Sequence, residues 1–520
     1  MSDPFVHLHV ASGYSLRHGA SHPHLLVQRA ADHGMDTLAL TDRDGLYGAV
    51  RFAKACMAAG VRPVLGVDLA VAPVPLDGPP AGRAVGAPTR RSPARGGAEV
   101  DPRLPRVTVL AEGRGGWAAL CRLVSATHLA GERGTPVTTL ELVAAHAGGE
   151  GDGGLVVLLG PASEAGRALA ARRPDLAGAH LGRWRSALLV ATGRGSIPRL
   201  VVEVVHHRGP GEAARAGRLL AFAAQERVPA VLTNQVRHAD RADAPIADLL
   251  DAARRLVALD ARHVDRVTAE GHLKSGKEMA EVAEEVARSA GQGPDGAVRL
   301  LAATRALAER CVLDPRADLG IGTVHFPELE TSSWGADQDP GEADRVLRER
   351  CLAGLGRRGM IGTPTELRRL DDELGIVRSL GYPTYFLTVA DVVDLIKGMG
   401  VRAAARGSGA GSLVTFLLGI SDVDPLRYGL LMERFLSPLR HQLPDVDIDV
   451  ESARRTEVYE RVLERYGGER CACVMMMDTY RVRHAIPRRR RGAGDAARRD
   501  RRCRQGLPAH PGQPGPGRPA

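Results

Sequence analysis

The sequence predicts an α/β protein with more than one domain. Its 520 residues are enough for two to four domains, each with a core of its own. Residues 5–75 alternate apolar runs with helical stretches, which is the rhythm of βαβ units and favours a mainly parallel sheet or a barrel. From Phe326 onward long helical patterns replace that rhythm, so we expect a second domain.

The first predicted domain opens with two helices and two strands in alternation. The stretches HLLVQRAADHGM and LYGAVRFAKACMAAG carry apolar residues at helical spacing, whereas DTLALTD and RPVLGVDLAVA are short apolar runs typical of buried strands. Residues 74–105 are rich in Pro, Gly and Arg without periodicity. That composition predicts a disordered surface insertion.

The α/β pattern resumes after this insertion and ends in a helical region. RVTVLAEG predicts a strand, and the residues after it predict a helix that carries Trp117 and Leu120. The same pattern continues through the apolar runs GLVVLLG, ALLVATG, RLVVEVVHH and VPAVLTN. Residues 240–312 have Ala, Leu and Val at helical spacing, so we place the end of the first domain near residue 310.

The second domain is predicted to consist of helices followed by a Gly-Ser segment. EADRVLRERCLAGLGRRG and ELRRLDDELGIVRSLGYPTYFLTVADVVDLIKGMG have apolar residues every three or four positions. ARGSGAGS, residues 405–412, comes next. Its small residues let the backbone approach an anion, and Arg406 can add a bidentate contact to the same group. A Gly-Ser segment is more often only a turn, so this prediction needs support from elsewhere.

That support comes from LPDVDIDVE, residues 443–451, which places three acids at alternate positions of a predicted strand. Asp445, Asp447 and Asp449 therefore share one face, where like charges repel unless a cation lies between them. One interpretation is a solvated edge strand, whose charges discourage aggregation. The other is a Mg²⁺ site, because hard cations take carboxylate oxygens and can assist phosphoryl transfer. A phosphate-binding segment followed by such a strand favours the second interpretation.

Composition and charge limit the classes of protein to which this sequence can belong. The apolar share of 44% fits a globular protein, no window offers a membrane span, and MSDPFVHLHV lacks the features of a signal peptide. We therefore expect a cytoplasmic protein whose seven scattered cysteines are reduced. The net charge of +9 lies mostly in residues 487–520, which hold ten Arg and two Asp, so the body of the chain is not markedly basic.

The Gly-Ser segment and the acidic strand resemble the palm of bacterial family C DNA polymerases, the alpha subunit of DNA polymerase III. YPTYFLTVADVV, ARGSGAGSLVTFLLGISDVDPLRYGLLMERFL and LPDVDIDV carry this resemblance, and RCACVMMMDTYRVRHAI is closer to the error-prone branch used in damage tolerance. The resemblance implies a polymerase-beta-like nucleotidyltransferase palm of α+β type. It also implies that Gly407 and Ser408 contact the triphosphate, and that Asp447 and Asp449 are two of three catalytic aspartates that bind Mg²⁺. Asp445 matches a position that is not catalytic in the family.

The N-terminal part resembles the PHP domain, a distorted α/β barrel in which His, Asp and Glu residues can bind metals for phosphoester hydrolysis. FVHLHVASGYSLRHGAS and LALTDRDGLYGAVRFAKA carry this resemblance. Several ligand positions differ from the family pattern, so we expect His7 and His9 to be remnants in a domain that binds no catalytic metal. The departures are Ala11 and Arg43 in place of His, His18 in place of an acid, Asp68 in place of Glu, and Gln235 and Arg237 in place of Asp and His.

The C-terminal segment from Pro487 departs from the family. It can be a basic arm that binds nucleic acid, or it can be out of frame, because suitable codons for residues 487–513 spell a family-like continuation one base later. We therefore predict a frameshift immediately before residue 487. By resemblance the third aspartate, the fingers and the clamp-binding region would then lie outside this chain, which is expected to be a truncated, inactive fragment.

Three hypotheses for function remain open. The first is a DNA-directed DNA polymerase of the error-prone type, which uses Mg²⁺, primer-template DNA and deoxynucleoside triphosphates and, in the intact family, accessory subunits and a sliding clamp. The second is a PHP-type phosphoesterase whose second half is only a scaffold. The third is a non-catalytic binding fragment. By resemblance we divide the chain into a PHP domain (1–310), a partial palm (311–455), the start of a thumb (456–486) and a basic tail (487–520).

Overall fold

A computed structural model describes residues 3–74, 104–131, 134–148, 153–192, 199–255, 259–260, 264–327, 340–437, 444–468 and 470–472. The predicted insertion lies almost wholly outside these residues, and so does the predicted tail. Two compact units divide between Gly322 and Thr323. No helix in the described part of the chain is both long and apolar enough to cross a membrane.

A six-stranded sheet forms the centre of the first unit. Its strands follow one another in sequence order, with three parallel and two antiparallel pairings. The third strand runs against both of its neighbours, so the predicted parallel sheet is a mixed one. The strands are β1 (Thr37–Arg43), β2 (Arg62–Ala70), β3 (Arg106–Glu112), β4 (Gly154–Leu159), β5 (Leu200–Val205) and β6 (Ala230–Thr233).

The N-terminal segment closes this sheet into a distorted barrel. On one side the amides of Ala39 and Thr41 in β1 donate to the carbonyls of His7 and Val10, at 3.0 and 2.8 Å. On the other side Val236, just after β6, donates to the carbonyl of His9 at 2.9 Å and its own carbonyl accepts from Ala11. Backbone groups at both edges of the sheet thus find partners in the N-terminal segment. The predicted barrel is confirmed.

The first unit has ten α-helices within the described residues. Nine of them, all except Ala244–Arg255, place apolar side chains in the clusters that contain the buried strands. The run ALLVATG, grouped above with the strands, is the last part of a helix, because a short apolar run does not by itself distinguish a strand from a buried helix. The helices are α1 (Pro23–Asp32), α2 (Ala49–Ala59), α3 (Gly113–Ala130), α4 (Leu140–Ala147), α5 (Glu164–Ala170), α6 (Pro174–Thr192), α7 (Glu212–Gln225), α8 (Ala244–Arg255), α9 (Gly276–Ser289) and α10 (Gly293–Cys311).

The second unit packs its helices against a two-stranded antiparallel sheet. Thr363 begins one helix with a capping box, and the turn at Gly381, with φ of 75°, separates that helix from the next, which has Pro383 in its first turn. The elements are α11 (Pro340–Arg357), α12 (Pro364–Ser379), α13 (Pro383–Gly398), β7 (Ala403–Arg406), α14 (Leu413–Leu417), β8 (Asp447–Val450) and α15 (Arg455–Tyr466).

Candidate functional site

Strands β7 and β8 bring the predicted acids and the Gly-Ser segment side by side. Arg406 at the end of β7 lies opposite Asp447, and Ala404 lies opposite Asp449. The alternation predicted for this strand orders its side chains in the structure. The acids 445, 447 and 449 are exposed, whereas the apolar residues between them, 446, 448 and 450, are half-buried against the core of the unit.

One guanidinium serves two of these carboxylates. Arg406 Nε donates to Asp449 Oδ1 at 3.0 Å, and its terminal nitrogen lies 3.6 Å from Asp447 Oδ2. The side chains of Arg406, Asp447 and Asp449 are 63%, 48% and 65% exposed. Pairs this exposed are screened by water, so they hold the side chains only weakly. The two carboxylates are open to a ligand from solution.

The Gly-Ser segment is a tight turn beside the acids. Gly407 has φ of 77°, a conformation that favours glycine, and a Cβ on it would lie 3.9 Å from Asp447 Oδ2. Residues Gly407–Gly411 form one 3₁₀ turn, within which Ser408 is half-buried. Thr415 in α14 fixes the turn by donating from its hydroxyl to the carbonyl of Gly409 at 2.7 Å.

A buried carboxylate holds the other end of that turn. Glu373 of α12 is 1% exposed, and its Oε2 accepts from the Ser412 hydroxyl at 2.8 Å and from the Val414 amide at 3.1 Å. Its Oε1 accepts from Arg369 Nε at 2.7 Å, so the buried charge is paired. Glu373 was not among the site residues predicted from the sequence. The available signal was an acid at helical spacing from the buried Leu370 and Val377.

Tyr385 of α13 fixes the start of the acidic strand. Its hydroxyl accepts from the Val446 amide at 3.1 Å. Burial raises the pKa of Tyr385, and the neighbouring carboxylates of Asp445 and Asp447 raise it further, so the hydroxyl stays protonated. No motif in the sequence pointed to this residue.

The side chains at β8 fit a hard divalent cation. They offer carboxylate oxygens on one exposed face, and Arg406 is the one cation that the described residues bring to Asp447 and Asp449. Oxygen ligands and open positions are what Mg²⁺ requires, because it keeps several waters and shares substrate phosphates. The adjoining turn has small residues and backbone amides, which suit a phosphate group.

In the first unit the two predicted histidines are held by buried partners. His9 Nδ1 lies 2.7 Å from Glu203 Oε1 in β5 and 3.1 Å from the Thr108 hydroxyl in β3. Burial lowers the pKa of His9, but the Glu203 carboxylate outweighs it and the net pKa is raised. His7 Nε2 donates to the Lys274 carbonyl at 2.8 Å, and burial lowers the pKa of His7 to about 4.

Arginines surround the acid that occupies a ligand position on β2. Asp68 accepts from Arg106 Nε at 3.0 Å and from Arg43 Nε at 3.2 Å, and Arg106 also donates to Asp44 at 2.8 Å. Burial acts to raise the pKa of Asp68, but the guanidiniums of Arg106 and Arg43 outweigh burial and lower it. Sequence analysis missed Arg106, which begins the predicted strand after the insertion.

The second arginine at a ligand position makes a buried ion pair. Arg237 donates from both terminal nitrogens to Asp251, at 2.7 and 3.1 Å, and also to the carbonyl of His18. Asp251 is fully buried, and Arg254 lies 3.0 Å from it as well. Among the described residues His18, Asp251 and Asp265 are close enough together to form a three-ligand group, but its carboxylates already contact Arg237, Arg254 and Arg255.

Asp42 of β1, the residue before Arg43, is bound by two hydroxyl groups and a backbone amide. Asp42 is 1% exposed and accepts from the Ser12 amide at 2.7 Å, the Ser12 hydroxyl at 2.9 Å and the Ser15 hydroxyl at 2.7 Å. Burial raises the pKa of Asp42 to about 6, although these hydrogen bonds act to lower it. Hydrogen bonds thus occupy the Asp42 carboxylate, and arginines occupy those of Asp68 and Asp251. These three carboxylates are therefore a poor set of ligands for a metal ion.

Comparison with known proteins identifies two domains in this chain. Residues 7–190 match the PHP domain, and residues 345–508 match the bacterial DNA polymerase III alpha NTPase domain. Among solved structures, an amidohydrolase from Chromobacterium violaceum covers 45% of this chain and 87% of its own, at 15% identity and a TM-score of 0.27.

Curated relatives match along nearly the whole chain. Proteins named error-prone DNA polymerase from Nocardia farcinica, Symbiobacterium thermophilum and Mycobacterium bovis are 35%, 34% and 33% identical to it. Each match covers 93% of this chain. The chain spans 40 to 42% of the length of these three relatives.

Proposed function

The chain belongs to the family of bacterial DNA polymerases in which a PHP domain is followed by the DNA polymerase III alpha NTPase domain, and from this membership we propose its function. We propose that the second unit serves template-directed transfer of deoxynucleotides with Mg²⁺. The observation that carries the proposal is the pairing of β7 with β8, which sets the Gly-Ser turn beside Asp447 and Asp449.

Each residue of the site has a proposed part. Asp447 and Asp449 would hold Mg²⁺ through their exposed carboxylates, and Asp445 supports them from the same face. Gly407 and Ser408 would receive the triphosphate, since glycine at this position leaves the backbone accessible. Arg406 would exchange a carboxylate for a phosphate oxygen, because its present pairs are exposed and weak.

When bound, Mg²⁺ supplies positive charge that activates the primer hydroxyl and stabilises the charge that develops during phosphoryl transfer. The protein's own residues contribute by holding the turn and the acidic strand in place. Glu373 and Thr415 keep the turn from moving, and Tyr385 fixes the start of the acidic strand. Rigid support of this kind keeps reacting groups within the narrow range of geometry that transfer requires.

Several broader assignments are proposals of the same kind. We propose an error-prone role, in line with the name of the relatives. We also propose a role in damage tolerance, primer-template DNA as partner and a cytoplasmic location. We assign residues 1–310 to the PHP domain, 311–455 to the palm and 456–486 to the start of the thumb, of which 473–486 lie outside the described residues.

For the first unit we propose a structural role without a catalytic metal. Arg43 and Arg237 stand at ligand positions, and each binds a buried carboxylate, Asp68 and Asp251 respectively. A cation in that place would have to displace buried guanidiniums, which leaves charge uncompensated. These contacts argue against the phosphoesterase alternative.

Nucleotide binding tests the proposed function directly. In Mg²⁺, fluorescent deoxynucleoside triphosphate should bind the full chain, and Asp449→Asn should weaken that binding by at least about tenfold, the lower end of the cost of losing an outer-shell partner at a metal site. Asp372→Asn, which removes one exposed acid from α12, is the matched control and should change nothing. Equal affinity of the two variants would overturn the assignment of Asp449.

A further inference from the structure

A cluster of four cations in the second unit lines a pocket that includes no residue of the acidic strand. The pocket has a volume of about 360 Å³, at the lower end of the range for ligand sites. Its wall consists of residues from α11, from α13 and from the end of α14. The charged ones are Arg350, Arg357, Arg358, Lys397 and a single acid, Asp394.

Helix geometry explains why these cations converge. Arg350 and Arg357 are seven residues apart on α11, which is two turns, so their side chains lie on the same face. Lys397 lies in the last turn of α13. Leu417, Leu418 and Gly419 at the end of α14 complete the wall.

Two of the four cations are already neutralised by acids. Arg350 binds Asp391 at 2.6 Å and Asp394 at 2.7 Å. Arg358 lies 3.1 Å from Asp422 and stacks over the Phe416 ring with its guanidinium carbon 4.3 Å from the centroid. These two side chains therefore form a fixed wall and contribute little net charge.

The other two cations have no carboxylate partner among the described residues. Arg357 makes one long hydrogen bond, at 3.4 Å, to the Leu417 carbonyl. Lys397 Nζ donates to the Gly419 carbonyl at 2.6 Å, which occupies one of its three protons. Most of the donors of Arg357 and Lys397 are thus available to a ligand, and the pocket carries an excess of positive charge.

We propose that this pocket binds a phosphate group, supplied either by a nucleic-acid strand or by a free polyphosphate. A guanidinium fork and an ammonium offer complementary donors to phosphate oxygens. The Leu417 and Gly419 carbonyls repel an anion, but each already accepts from one of these cations. None of the residues that line the pocket belongs to the Gly-Ser turn or to the acidic strand. It does not depend on the function proposed above.

The test uses the full chain in the presence of EDTA, which removes the metal that the acidic strand requires. Inorganic pyrophosphate binding is measured by calorimetry, and binding of a short labelled single-stranded DNA is measured by anisotropy over a range of salt. The variant is Arg357→Ala with Lys397→Ala. The matched control, Arg345→Ala with Arg368→Ala, removes the same charge from exposed positions on α11 and α12.

If the ligand is a free polyphosphate, the variant binds pyrophosphate at least about tenfold more weakly than the control, as expected when two charge-assisted hydrogen bonds are removed. If the ligand is a nucleic-acid strand, DNA binding weakens instead and its salt slope falls by about 0.7 for each phosphate that the variant no longer neutralises. Comparing variant with control cancels any contribution of the basic tail.

A third variant tests whether a more positive pocket binds the ligand more tightly. Asp394→Asn removes the acid that lines the pocket, so it should tighten whichever ligand binds. If the variant and the control bind both ligands equally, and Asp394→Asn changes neither affinity, the cations only hold the end of α14 and the proposal is overturned. Retained Mg²⁺-dependent nucleotide binding in that case would leave the proposed function standing.

Discussion

The carboxylates of the first unit and those of the second differ in what neutralises them. Asp68 and Asp251 are buried and bound by arginines that belong to the fold. Asp447 and Asp449 are exposed and share the single guanidinium of Arg406. We propose that a fixed cation completes the charge in the first case and takes the place of a metal. In the second case the charge balance is incomplete, so a mobile cation can bind.

The largest expected effect comes from breaking a buried pair in the first unit. Asp251→Ala leaves Arg237 and Arg254 without their shared carboxylate, so the free energy of unfolding should fall by about 3 to 5 kcal/mol. Hydrogen exchange of the β5 and β6 amides in increasing urea measures this loss for the first unit alone.

A surface pair supplies the control for this prediction. Glu281→Ala removes the exposed partner of Arg208 and should cost no more than about 1 kcal/mol. If Asp251→Ala costs no more than Glu281→Ala, the arginines do not complete a charge that the fold depends on, and the contrast between the two units fails.

The next largest effect is the pH dependence of the free energy of unfolding, to which Asp42 and Asp68 should contribute with opposite signs. The pKa of Asp42 is raised from 3.8 to about 6, so the folded state binds its proton more tightly, and stability is lost as pH rises between these values. From well below pH 3.8 to well above pH 6, the free energy of unfolding of the protein, relative to that of Asp42→Asn, should fall by about 3 kcal/mol in all, at about 1.4 kcal/mol per pKa unit.

Asp68 should behave in the reverse way. Arg106 and Arg43 lower its pKa, so its contribution is present above the unfolded value of 3.8 and is lost as pH falls through the folded value. The protein's stability relative to Asp68→Asn should therefore decrease toward acid pH. Urea unfolding of both variants across the acid range checks the two slopes, and slopes of the same sign would contradict the assignment.

A smaller effect is expected at the support of the Gly-Ser turn. Glu373→Gln removes the charge that Arg369 pairs with and weakens the acceptor for Ser412 and Val414, so we expect a loss of about 2 kcal/mol in the second unit. Hydrogen exchange of the α12 and α14 amides measures it. Glu366→Gln, at the exposed end of α12, keeps its hydrogen bond to Thr363 and should cost less. If both variants lose the same free energy of unfolding, the burial of Glu373 does not explain the loss.

Local patterns predicted most elements of both units, with the helical run ALLVATG as an exception, but not the partners of their charged residues. The alternation of acids and apolar residues along LPDVDIDVE predicted the exposed face of β8, and apolar runs predicted strands β1 to β3. Glu373, Tyr385 and Arg106 come from elements distant in sequence, and their roles appear only when packing brings them together. Arg43 and Arg237 are recognisable in the sequence as replaced ligands, whereas their carboxylate partners are visible only in the structure.

The most direct test of the contrast is a count of the divalent cations that the full chain binds. After chelation, Mn²⁺ is titrated while the signal of free Mn²⁺ is followed by electron paramagnetic resonance. We expect Mn²⁺ binding to be lost in the double variant Asp447→Asn with Asp449→Asn and kept in Asp372→Asn. Undiminished binding in the double variant would place the metal elsewhere, and its loss on changing Asp42 or Asp68 instead would show that the first unit holds it.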